Sequence, residues 1–107
     1  GLVTKINNMM EKIVSIVEDL FLGNKALKTV VRGHKVIISY ELIYSIVLRV
    51  ENSNKISIYP VWKVGLIGKI IFNKTYQNHF DNYNIVRNQL LIEGYDLSEI
   101  HLIGNAI

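Results

Sequence analysis

Apolar and polar residues alternate with a period of two through the middle of the chain. From Val36 to Val50 the even positions are Val36, Ile38, Tyr40, Leu42, Tyr44, Ile46, Leu48 and Val50. After the polar break Glu51-Asn52-Ser53-Asn54-Lys55 the same parity resumes through Ile56, Ile58, Pro60, Trp62, Val64, Leu66, Gly68, Ile70 and Phe72. Strict alternation is the mark of a half-buried strand. Placing Glu51 opposite Lys55 closes a long hairpin of strands 35–51 and 55–64, in which even residues face even residues. A third strand over 66–73 completes an antiparallel three-stranded meander with one apolar face. In this register Tyr44 lies opposite Trp62, and both join Tyr40 in an aromatic core cluster.

One strand from Val36 to Val50 would run about 50 Å at roughly 3.3 Å per residue. That is long for a domain of this size, so a bend, bulge or break is expected near Glu41. Asn52-Ser53-Asn54 suits a three-residue turn, with Asn54 able to take the left-handed position. Pro60 lacks an amide hydrogen, which places it at a sheet edge. Gly65 and Gly68 suggest a turn or sharp bend before the third strand.

The flanks change period. Ile6, Met10, Ile13, Val17, Leu20 and Phe21 recur at helical spacing, predicting an amphipathic helix over 8–22 with Asn8 as its cap and Glu11 three residues on. Residues 25–32 suit either two helical turns or a short strand, given Thr29-Val30-Val31. Tyr76, Phe80, Tyr83, Val86 and Leu90 predict a second long helix over 74–93, capped by Asn73 and ended by Gly94. The asparagines at 78, 82, 84 and 88 are poor helix formers, so packing must hold it. The tail from Tyr95 reads as a short last strand at 99–103 or as a final helical turn.

Composition narrows the class. With 107 residues, half of them hydrophobic and 20% charged, the chain is a single α+β domain with enough apolar side chains for a core. There is no cysteine, which removes disulfides, thiol catalysis and thiolate metal sites and suits an intracellular protein. No apolar run approaches the roughly 20 residues that span a bilayer. The polar side of the first helix is acidic, so no membrane partner is expected. The abundance of Ile, Asn and Lys follows AT-rich codons and points to a virus, phage or plasmid as source.

The net charge is +3 and the pI about 9.2, a mild basic excess. The odd face of the hairpin carries Lys35, Arg49, Lys55, Lys63 and Lys69 against Glu41 and Glu51. Together with Lys25, Lys28 and Arg32, from the acid-free stretch 25–35, these cations are the candidate contacts to nucleic acid (Lys25, Lys28, Arg32, Lys35, Lys63 and Lys69). Solvated lysines that block edge-to-edge aggregation are the bland reading of the same residues. The odd face also holds Ile37, Ile43, Val47, Tyr59 and Val61, too apolar for a plain solvent face, and these are the candidate interface of a homodimer. His34, His79 and His101 have no ligand spacing and read as surface histidines; no metal or cofactor is expected.

Three resemblances attach to particular residues. The stretch 25–35, after a helix and the Gly23-Asn24 turn, is similar to the recognition element of a helix-turn-helix, with the hairpin as a wing. Val64-Gly65-Leu66-Ile67-Gly68-Lys69-Ile70-Ile71 resembles the spacing of the KH-domain backbone clamp; its loop positions here are Leu66 and Ile67, where those domains usually carry polar or basic residues. The element order resembles the core of PD-(D/E)xK nucleases, Holliday-junction resolvases among them. That resemblance implies an acid on one strand and E-x-K on the next, holding Mg²⁺. Val61-Trp62-Lys63 is the nearest equivalent, and only Lys63 matches. The sequence therefore leads to a non-catalytic interaction module, homodimeric through the hairpin face. A small nucleic-acid-binding protein is the alternative, and a degenerate nuclease-like scaffold without activity the second.

Overall fold

A computed structural model describes residues 1–100. The elements follow the order α1 (Leu2–Leu20), β1 (Leu27–Arg32), β2 (Lys35–Tyr40), β3 (Tyr44–Val50), β4 (Lys55–Trp62), α2 (Leu66–Ile71), α3 (Asn73–Ile92) and β5 (Asp96–Glu99). The class is α+β. The strands form one five-stranded mixed sheet in sequence order, with β1 to β4 an antiparallel meander and β5 parallel to β4.

The expected three-stranded meander is corrected in three places. The alternating stretch 36–50 is itself a hairpin, broken at Glu41, whose positive φ of 47° turns the chain between β2 and β3. A three-residue connection keeps the parity, so Val36 pairs Leu48 and Ile38 pairs Ile46. Residues 27–32 are a strand, which removes the helix-turn-helix reading. The third strand expected at 66–73 is instead α2 running into α3. Alternation continued across that stretch, but Val64-Gly65 stops the ladder. Gly68 lets the helix close: a Cβ there would lie 2.5 Å from the Val64 Cβ, so only glycine fits without movement.

The central register is the predicted one. Tyr44 pairs Trp62 and Val50 pairs Ile56. Pro60 pairs Ile46; β4 is flanked by β5 and so is not an edge strand, but β5 pairs it only from Lys55 to Ile58, and among the described residues no strand pairs with the outer side of Pro60. The first helix starts well before its predicted cap, leaving Asn8 inside it. The last described strand is Asp96–Glu99, meeting the expected 99–103 at Glu99; residues 101–107, including His101 and the rest of that expected strand, lie outside the described residues.

Both long helices cover the even face. Ile6, Met10, Ile13 and Val17 of α1 and Tyr83, Val86 and Leu90 of α3 meet Val36, Ile38, Ile46, Leu48, Val50, Ile56 and Ile58 in one core. Burying such side chains contributes roughly 1.5–3 kcal/mol each, which is what holds the asparagine-rich α3 in helical form. Among the described residues no helix is long and apolar enough to cross a membrane.

Candidate functional site: the open face of the sheet

The opposite face of the sheet lies away from the α1–α3 core, exposed at its β1 side and buried at its centre around Ser45, Val47, Ser57 and Val61, and the register arranges it in rows. A two-residue turn at Gly33-His34, with Gly33 at φ 57°, joins β1 to β2 and sets Arg32 opposite Lys35. Positive φ at the first turn position is where a two-residue hairpin of type II′ needs glycine. This pairing couples even residues of β1 to odd residues of β2. Lys28, Val30 and Arg32 therefore share the open face with Lys35, Ile37 and Ser39.

Three rows cross the strands. The first is Arg32, Lys35, Arg49 and Ser57. The second is Val30, Ile37, Val47 and Tyr59, and the third Lys28, Ser39, Ser45 and Val61. Lys63 follows β4 and is fixed by its amide, which donates to the Ile43 carbonyl at 2.8 Å. Val30, Arg32, Ile37, Ser39, Ser45, Val47, Val61 and Lys63 line a shallow groove of about 280 Å³.

Electrostatics distinguish the first row. Arg49 Nε donates to Glu51 at 2.7 Å, and the Ser57 hydroxyl donates to the same carboxylate oxygen at 2.7 Å. The Ser57 hydroxyl, then Arg49, hold the Glu51 carboxyl below its usual range. Among the described residues no ion pair reaches Lys28, Arg32, Lys35 or Lys63. Like charges directly opposite on neighbouring strands repel, and here three cations stand in line with a single acid at one end. In the third row the Ser39 and Ser45 hydroxyls are hydrogen bonded to each other at 2.9 Å.

The structure divides the residues singled out in the sequence. Lys28, Arg32, Lys35 and Lys63 come together on the open face. Lys25 lies in the turn before β1, and Lys69 sits on α2 with its Nζ 4.8 Å from the Tyr76 ring centre. Of the apolar candidates, Ile37, Val47, Tyr59 and Val61 share the open face, whereas Ile43 belongs to the β2–β3 turn. Val47 and Val61 are only 6% and 5% exposed, so neighbouring side chains already occlude the apolar centre. Val30 and the serine pair were missed. The Gly33-His34 turn was their signal, because a two-residue connection reverses the parity.

His79 corrects the surface reading of the histidines. It is 1% exposed, with both ring nitrogens unpartnered, and its ring lies 4.3 Å from Tyr44 and 6.1 Å from Trp62. Burial pushes its pKa down to about 4. Tyr40 stacks on Tyr44 at 5.2 Å, Tyr76 meets Trp62 edge-on at 4.8 Å, and Asn82 Nδ2 donates to the Tyr44 hydroxyl at 3.0 Å. The aromatic cluster expected on the even face is therefore present, and α3 enlarges it.

Where the nuclease resemblance requires an acid and an E-x-K, the paired strands present Ser45 opposite Val61, with Lys63 beyond. Among the described residues no group of three or more His, Cys, Asp or Glu could hold a metal ion. The KH-like spacing falls on a short helix rather than a loop between two helices. Compared with known proteins, the chain matches no family model, no curated protein and no solved structure.

Proposed function

We propose that this chain is a non-catalytic binding module that holds nucleic acid against the open face of its sheet, through the phosphate backbone. The observation that supports this best is the row Arg32–Lys35–Arg49, three cations set side by side by the register. Arg49 already meets the Glu51 carboxylate, whereas Arg32 and Lys35 stand opposite each other with no acid paired to them among the described residues, a repulsion that a bound anion relieves. Lys28 and Lys63 extend the positive surface, and half-buried Tyr59 ends the apolar row beside it, where a base could stack. The half-buried Ser39 hydroxyl, supported by its bond to buried Ser45, adds one neutral contact to phosphate oxygens.

Charge reversal tests the proposal. Arg32→Glu with Lys35→Glu should abolish retention of an oligonucleotide, because both side chains leave the strands toward solvent and their replacement spares the core. Retention by the double variant at the wild-type level would sink it.

Homodimerisation through the same face is the second reading, motivated by Val30 at 43% exposure beside Ile37 and Tyr59. It draws less support because Val47 and Val61 have little surface left to give. Light scattering at micromolar concentration distinguishes the two, a dimer lost on Ile37→Asp favouring self-association. A scaffold derived from PD-(D/E)xK nucleases suits the parallel β5 joined to β4 through α3. It predicts intact plasmid after incubation with Mg²⁺ or Mn²⁺, since Ser45 and Val61 supply no carboxylate.

A further inference from the structure

Beyond the sheet face, α2 is an apolar helix whose outer side has no partner among the described residues. Leu66, Ile67, Ile70 and Ile71 are 75%, 74%, 73% and 69% exposed. At about 100° per residue they fall within one arc of roughly 140°. Gly68, half-buried and close to Val64, lies on the other side. Singly exposed aliphatic residues are ordinary, whereas four on one stripe mark a docking surface.

Charge selects the occupant. Residues 52–80 contain no aspartate or glutamate, and they contain Lys55, Lys63, Lys69 and Lys74. Lys63 precedes the helix by three residues, Lys69 lies within it, and Lys74 follows it by three residues. A second copy docked through a twofold axis would bring these lysines against one another. An anionic lipid surface satisfies both features, taking aliphatic side chains at the acyl boundary and lysines at the headgroups.

We propose that α2 and its flanking lysines dock the protein on an anionic bilayer surface. This amends the expectation of no membrane partner, which rested on span length and on the acidic side of α1. The stripe involves neither a spanning helix nor α1, and of the lysines around it only Lys63 is shared with the surface proposed to meet nucleic acid.

Co-sedimentation with vesicles tests it, using phosphatidylcholine with about 30% phosphatidylserine against phosphatidylcholine alone. The wild-type chain should partition onto the anionic vesicles at least about tenfold more strongly than onto the neutral ones. Ile67→Ser with Ile70→Ser should cut that partitioning by about tenfold or more, and Lys69→Glu by about fivefold or more. Since Ile67 and Ile70 face solvent, near-ultraviolet circular dichroism should be unchanged in the isoleucine variant. No retention of the wild type on anionic vesicles would overturn the proposal. So would retention that survives Ile67→Ser with Ile70→Ser but is lost in Arg32→Glu with Lys35→Glu, which would assign the headgroups to the sheet face. A dimer that dissociates on the isoleucine substitutions would make a second copy the occupant and likewise overturn it.

Discussion

His79 folds as the neutral ring, because its site among Tyr44, Trp62 and Phe80 offers neither water nor a counter-charge. In the unfolded chain a histidine titrates near pH 6.5. The depressed folded value means that stability is intact above about pH 6.5 and falls as the pH drops toward 4. The loss should reach about 2–3 kcal/mol by pH 4.5. Urea midpoints at pH 7 and pH 4.5 measure it, and His79→Phe should remove most of the difference. An acid limb unchanged in that variant would contradict the burial argument. Gly68 gives a second test at this scale. Alanine is the better helix former by about 1 kcal/mol, yet its Cβ would strike Val64. Gly68→Ala should lower stability and Val64→Ala should partly restore it, a coupling that additive single effects would refute.

The elements were legible where burial enforces a period. Val36, Ile38, Ile46, Leu48, Ile56 and Ile58 alternate because one face of their strands is sealed, and the Tyr44–Trp62 register followed from that. The stretch 66–72 kept the same alternation without the burial that gives alternation its meaning, and it folded as a helix. Residues 27–32 were ambiguous because only Leu27 and Thr29 are half-buried, too little for either period to show. The first helix was clear from Ile13 and Val17, which are wholly buried in the core. Ile13→Ala should cost about 2–5 kcal/mol in a urea titration, whereas Leu22→Ala, beyond the helix end and exposed, should stay within about 0.5 kcal/mol. Near-equal costs at the two positions would mean that α1 does not pack as described.

On the scale of the whole molecule, the sheet has one face closed by α1 and α3 and one that lies away from that core, exposed along β1 and occluded at Val47 and Val61. The candidate site was half legible in the sequence. Lys28, Arg32, Lys35 and Lys63 were identifiable as cations, but their assembly depends on β1 being a strand and on the parity reversal at Gly33-His34. Lys25 and Lys69 resembled them in sequence and lie elsewhere in space. That difference supplies the most direct measurement: oligonucleotide affinity across a salt series, with the slope of log affinity on log salt compared between variants. Four cations without an ion pair among the described residues should give the wild type a slope of about −3 to −4. Arg32→Ala and Lys35→Ala should each bring it about one closer to zero, while Lys25→Ala leaves it in place. A slope that responds equally to Lys25 and Lys35, or binding that ignores salt, would contradict the open face as the binding surface.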